Sequence, residues 1–216
     1  MDTGPLILDE QIHAVYKARK TMRTLMRARG YDPMIDPHDK SIDSFLEFYV
    51  SKNSYLSMTM RAWKEDQLIL AFFPPEIKLR IAAVREICEY AKECRVSHYI
   101  IVCNDQITSF TKTHIAHYKT DNNVKIETIS IPQLQFNVTE HEMVPPYRLL
   151  SPSEKQAVLD KYMVTEKQLP GILLADPVAK YYGARIGQVF EITKASSLGF
   201  FYLTYRIVRK GVYKVK

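Results

Sequence analysis

The chain has little of what phosphate-binding and nucleophilic enzymes need. It holds seven glycines in 216 residues. None sits in a glycine-rich run that would let main-chain amides cradle a phosphate, and no nucleophile elbow is present. Its three cysteines, Cys88, Cys94 and Cys103, are odd in number and lack paired metal spacing. They lie in or beside apolar patterns, which predicts buried reduced thiols in a cytosolic or nuclear protein. No apolar run approaches the ~20 residues of a membrane helix. The opening Met1-Asp2-Thr3-Gly4-Pro5 has no basic start, and Asp9-Glu10 fall where the apolar stretch of a signal peptide would lie. What is present is a hydrophobic fraction of 46%, enough for a packed core. The length suits one large or two small domains.

Charge is uneven. Residues 1–136 carry 18 basic and 17 acidic side chains, whereas residues 137–216 carry 12 and 7. No acid follows Glu191, while Lys194, Arg206, Arg209, Lys210, Lys214 and Lys216 do. Such an end can meet nucleic acid or an acidic partner surface, and its last six residues taken alone read equally as a solvated tail.

Periodicity predicts a helix over 9–29, with Ile12, Val15, Tyr16, Met22, Leu25 and Met26 at helical spacing and Gly30 as its stop. Lys17, Lys20, Arg23 and Arg27 share one face of it, either solvated or turned to phosphates. A loop over 33–43 precedes a short helix near 42–50. Tyr55 to Ala62 alternates as an extended run, Glu65-Asp66 suits a hairpin turn, and 68–73 is continuously apolar. A helix over 78–95 carries Ile81, Val84, Ile87, Cys88 and Ala91 on one stripe. A buried strand over 99–103, a helix near 110–118 and a strand over 124–131 follow. The expectation for 1–136 is an α/β domain with a small mixed sheet.

Pro132 and Pro145-Pro146 bracket a change of texture, which places a boundary near 135–140. Ser151-Pro152-Ser153-Glu154 is a helix start in which Ser caps, Pro takes the first helical position and Glu completes a capping box. Asp176-Pro177 repeats the device, and Gly183 can end that helix in a left-handed conformation. Strands are expected over 189–194 and 201–208, joined by Ala195-Ser196-Ser197-Leu198-Gly199. Leu169, Val178, Tyr181, Val189 and Ile192 are the expected core of a small α+β domain over 140–216.

The words Asn137-Val138-Thr139-Glu140-His141-Glu142-Met143-Val144-Pro145, Gln168-Leu169-Pro170, Asp176-Pro177-Val178-Ala179-Lys180-Tyr181 and Thr204-Tyr205-Arg206 occur in that order. The series resembles the subunit shared by eukaryotic RNA polymerases I, II and III, whose C-terminal domain matches a small subunit of the archaeal RNA polymerase. Arg29-Gly30-Tyr31 and Phe72-Phe73-Pro74 extend the likeness thinly toward the N-terminus. The resemblance implies a non-catalytic polymerase subunit, with no cofactor and no metal of its own. Residues 1–136 would be a jaw domain with a nuclease-like fold lacking its active site, beside downstream DNA. Residues 140–216 would be an assembly domain on the largest subunit. The loop Asn104 to Ser109 leading into Lys112 would then face DNA without reading sequence, with Thr108, Ser109 and Lys112 as candidates, although Thr108 or Ser109 also serves as a plain helix cap. His141, Pro145, Gln168, Pro170, Asp176, Pro177, Tyr181 and Arg206 are the candidate partner-binding or structural positions. The implied compartment is the nucleus, or a viral factory or virion for a virus-encoded polymerase.

The chain departs from the family at Tyr147, where His is usual, and at Gly171, where Arg is usual. The family's Ser-Glu-Thr-Ala-Gly-Arg-Tyr run is here Ser196-Ser197-Leu198-Gly199-Phe200-Phe201-Tyr202. These changes fit a divergent lineage, a polymerase with a specialised partner set, or one encoded by a large DNA virus. Two other readings stay open. In one, a free-standing DNA-binding or nuclease-like protein uses Glu76-Ile77-Lys78, with Asp66 completing a cation site. In the other, the chain is an interaction module of a different transcription assembly. His114 and His117 share a helix face without a third metal ligand.

Overall fold

The computed structural model describes residues 4–51, 56, 58–74, 79–104, 107–196 and 198–211. They divide into two compact units, Met1–Phe136 and Asn137–Lys216.

The first unit is built on a five-stranded sheet in the order β1-β2-β3-β4-β5. Helix α1 (Gly4–Ala28) begins before the expected start. Ile12, Val15, Met22, Leu25 and Met26 are all buried. Gly30 closes the helix at φ +82, with Tyr31 N–H bonded to Met26 O and Gly30 N–H to Arg27 O. β1 (Asp32–Pro33) is a two-residue edge strand inside the expected loop, and α2 (Ile42–Ser51) follows. β2 (Met60–Lys64) pairs antiparallel with β1 and with β3 (Gln67–Phe72), around a turn in which Glu65 has φ +51. Only the end of the expected 55–62 run is strand; Tyr55 and Ser57 lie outside the described residues.

α3 (Ile81–Glu93), β4 (His98–Cys103), α4 (Ser109–Asn122) and β5 (Lys125–Ser130) add two parallel strands. Leu70, Phe72, Tyr99, Ile101 and Ile126 pack against Val84, Ile87 and Cys88 of α3 and Ile115 of α4. The alternate residues Ile69, Ala71, Ile100 and Val102 are buried too, and the period-two pleat sends them to the opposite face. Burial on both faces is why 68–73 reads as an unbroken apolar run. Of the expected α3 stripe, Ile81 is only half-buried. Cys88 and Cys103 are buried and Cys94 is half-buried, and none of the three is in a disulfide.

The second unit carries a four-stranded sheet in the order β6-β8-β9-β7. Its strands are β6 (Tyr147–Leu149), β7 (Gly171–Leu173), β8 (Val189–Ala195) and β9 (Phe201–Arg209), and its helices are α5 (Pro152–Tyr162) and α6 (Pro177–Tyr181). β8 pairs antiparallel with β6 and β9, while β7 runs parallel to β9. One face holds Ile172, Phe190, Ile192 and Val208 under Ala179 of α6. The other holds Val189, Ile207, Leu150 and Leu169 under Leu159 of α5. Leu169, Val178, Tyr181, Val189 and Ile192 are all buried, as expected.

Both motif-defined helix starts form. Ser151 Oγ accepts from Glu154 N–H at 3.3 Å, and Glu154 Oε2 accepts from Ser151 N–H at 2.8 Å. Asp176 Oδ1 accepts from Val178 N–H at 2.8 Å, and Gly183 ends α6 at φ +61.

Candidate partner and DNA interfaces

The α4 start is built by Thr108, whose Oγ1 accepts from Thr111 N–H at 3.2 Å while its carbonyl accepts from Lys112 N–H. Thr108 is therefore the cap, and Ser109 is the first helical residue. Ser109 and Lys112 both stand exposed on the first turn. A hydroxyl, a cation and the positive end of a 14-residue helix thus lie together. Asp105 and Gln106 of the loop lie outside the described residues.

The α1 basic face is not uniform. Lys17, Lys20 and Arg27 are exposed. Arg23 turns inward to Asp39, with 2.8 Å between Nη2 and Oδ2. Arg19, which the spacing argument passed over, is 0% exposed. It donates from Nε and Nη2 to the two Asp39 oxygens at 2.7 and 2.9 Å, and from Nη1 to Met58 O at 2.6 Å. Its guanidinium also lies 5.3 Å from the Phe73 ring centroid. Arg19 and Arg23 are therefore internal ties to a buried carboxylate, joined by charge-assisted hydrogen bonds.

In the second unit the candidate partner residues fall into two groups. Asn137 caps a short turn over Val138–Glu140 that lies beside α6. His141 Nδ1 accepts from Met143 N–H at 3.2 Å, so this histidine orders the next turn. Pro145 follows, half-buried. Asp176 is the α6 cap, Pro177 occupies its first position, and Tyr181 is buried with its ring edge-on to Tyr182. Arg206 shares the sheet face of Val208, again the α6 side. Tyr147 ties the group together. Burial pushes its hydroxyl pKa up, the Arg206 charge draws it down and Asp176 raises it. Its carbonyl accepts from Tyr182 Oη at 2.9 Å. His141, Asp176, Pro177, Tyr181 and Arg206 thus fall on the α6 side of the sheet.

Gln168 and Pro170 belong to the loop before β7. Gln168 Oε1 accepts from Thr165 N–H at 2.7 Å, and the Pro170 carbonyl accepts from Ile207 N–H at 2.9 Å. That loop is fastened by Arg209, whose Nη2 donates to the carbonyls of Lys167 and Leu169 at 2.9 and 2.8 Å. Sequence reasoning placed Arg209 in the basic tail. Gly171 lies beneath it, where an added Cβ would come within 3.3 Å of Arg209 Cδ. Residues 212–216 lie outside the described residues.

An exposed ion cluster spans β6, α5 and β8. Arg148 pairs with Glu154 and, at 3.0 Å, with Glu191. The Arg148 hydrogen bond, with help from Ser151, draws the Glu154 carboxyl down to about 2.

No group of three metal-ligating side chains occurs among the described residues, and Glu76 and Lys78 lie outside them. A family model described as RNA polymerase Rpb5, N-terminal domain, matches residues 9–91, and one described as RNA polymerase Rpb5, C-terminal domain, matches residues 136–208. The subunit rpabc1 of DNA-directed RNA polymerases I, II, and III from Dictyostelium discoideum is 31% identical over 201 residues, 92% of this chain and 98% of the relative. The RPABC1 subunit of Caenorhabditis elegans is 30% identical over 206 residues, 92% and 97% of the two chains. The DNA-directed RNA polymerase V subunit 5A of Arabidopsis thaliana is 25% identical over 204 residues, 92% and 90%. The class so defined is the non-catalytic subunit of a multisubunit DNA-directed RNA polymerase, whose catalysis sits in other subunits. Within that class the chain belongs to the Rpb5 family. The free-standing nuclease reading finds no support, since both halves match polymerase-subunit domains.

Proposed function

We propose that residues 137–216 dock on the largest subunit of a nuclear RNA polymerase and that residues 1–136 form the lower jaw beside downstream duplex DNA. The observation that carries this reading is the end-to-end likeness to shared subunits of polymerases I, II, and III, with an N-terminal and a C-terminal Rpb5 domain in one chain. The names of those relatives also support the nucleus as the compartment.

The docking surface is the α6 side of the second unit, where Asp176 and Arg206 both act on Tyr147 and Pro177 follows the Asp176 cap. It combines a half-buried cation with a rigid, capped helix start, a pre-ordered arrangement that costs little to bind. The DNA-facing element is the α4 start. Ser109 and Lys112 there contact phosphates, which position a duplex without reading its sequence. The five-stranded mixed sheet with buried residues on both faces supports a nuclease-like architecture. In this role it acts as a stiff scaffold, with no chemistry of its own.

The test is reconstitution of the polymerase with Arg206→Glu in place of the wild-type chain. The variant is expected to be lost from the assembled enzyme at moderate salt while the free chain keeps its unfolding midpoint. Retention equal to wild type contradicts the docking surface.

A further inference from the structure

The tip of the β8–β9 hairpin is the largest run of uncovered apolar side chains among the described residues. Leu198, Phe200 and Phe201 are 80%, 71% and 77% exposed, and Tyr202 and Leu203 are 48% and 49% exposed. Single exposed apolar residues are ordinary; a contiguous run signals a covered surface. We propose that this tip is a plug that inserts into an apolar, acid-rimmed groove of a neighbouring polymerase subunit. The proposal rests on the reading that the chain works inside a polymerase, and it adds a second contact away from the Tyr147 cluster.

The described residues of the tip are bonded to one another. Ala195 pairs with Phe201 and Lys194 with Tyr202. Ser196 N–H donates to Phe200 O at 2.7 Å, and Gly199 N–H donates to Ser196 O at 3.0 Å, with Gly199 at φ +80. A hydrogen-bonded turn that needs no refolding loses little entropy on docking. The shape of the occupant follows from the pleat. Phe201 and Leu203 point to one face and Tyr202 to the other. A flat partner covers one face of such a ribbon, whereas a groove covers both.

The edges and charges point to protein. β6 pairs only with residues 190–192 of β8, and β7 only with residues 207–209 of β9. Beyond those residues, apart from Thr193 N–H, which donates to Pro146 O at 3.1 Å, the ribbon's outer edges have no neighbouring strand among the described residues. Main-chain groups on an open edge pair with another protein's backbone or polar rim, and hydrocarbon would leave them unsatisfied. That disfavours a bilayer as the apolar destination. The last acid before the tip, Glu191, is held by Arg148, and the charged residue nearest the tip, Lys194 opposite Tyr202, is basic. The groove rim is therefore acidic. A second copy of this hairpin would set like charges together.

The test uses the full chain assembled into its own polymerase through a tag on the largest subunit. One sample carries Leu198→Ser, Phe200→Ser and Phe201→Ser together. Another carries a photocrosslinking aromatic at position 200 in an otherwise unchanged chain. The triple variant is expected to be retained at least about tenfold less well through a salt wash, with an unchanged unfolding midpoint as a free chain. The crosslink is expected at one polymerase subunit, within an apolar segment flanked by Asp or Glu. Equal retention of wild type and variant overturns the plug, as does a crosslink to a second copy. Flotation of the chain with phosphatidylserine vesicles that is lost in the triple variant also overturns it. If the wild-type chain itself fails to enter the polymerase, the underlying reading falls and takes the plug with it. If the wild-type chain enters and position 200 stays uncrosslinked, only the plug falls.

Discussion

Arg19 has no exposed surface, and Asp39 is the nearer of two carboxylates that make its burial tolerable, with Asp36 3.7 Å away. Removing one partner of a buried pair strands the other charge away from water, at a cost of about 3–5 kcal/mol. Asp39→Ala is therefore expected to lose stability of that order in urea unfolding, and a loss under ~0.5 kcal/mol would contradict the account. Glu127 gives a pH signature. Burial alone would raise its carboxyl pKa. The hydrogen bond with His98 at 2.7 Å, the charge of Arg29 and the Lys125 ammonium together hold it well below its ordinary value of 4.5. The folded carboxyl titrates lower than the unfolded one, so the unfolded chain binds more protons as pH falls below about 4.5. The stability Glu127 contributes is complete above that pH and is lost below it. Glu127→Gln is expected to flatten this acid limb in unfolding followed from pH 6 to 3; an unchanged limb would refute the assignment. Neither cluster was legible as such. Arg19 lies four residues after Val15 and three before Met22, so the helical period puts it on the apolar stripe. An arginine on such a stripe was the available sign, but its partner is 20 residues away, at the end of a 3-10 turn over Pro37–Asp39.

Helix ends carry the next set of expectations. α3, α4 and α5 end on Arg95, Asn123 and Met163 in the left-handed region, at φ 55, 50 and 52. Such φ values cost a side chain about 1 kcal/mol relative to glycine. Met163 is 93% exposed, so Met163→Gly is expected to raise stability by about 0.5–1 kcal/mol in thermal unfolding; a loss would contradict the capping role. At the α4 start, Lys112→Ala in the assembled polymerase is expected to lower the slope of log affinity for duplex against log salt by about 0.9, one phosphate contact. An unchanged slope would remove Lys112 from the DNA face. Elements with local signals were legible. Ser151-Pro152-Ser153-Glu154, Asp176-Pro177 and the α3 stripe each specify structure within a turn or two. β6 and β7 were not, because they are three residues long and are defined by pairing with β8 and β9 far along the chain. The hairpin tip was visible as an apolar word, but only the strand pairing reveals that it is uncovered.

The whole chain is two compact units, each with a family domain of its own. Three of its arginines, Arg19, Arg23 and Arg209, are spent on internal ties, so the net charge overstates the basic charge left free on the surface. The candidate partner residues were legible as words whose order is specific. That Asp176 and Arg206 both act on Tyr147 was not, since it depends on sheet register and on α6 covering one face. Incorporation into a polymerase tests the account most directly. A tagged chain should be purified from its native source at moderate salt and its companions quantified by mass spectrometry. Stoichiometric recovery of the two largest RNA polymerase subunits is the predicted result. Recovery of the chain alone, from cells whose polymerase is intact, would contradict it.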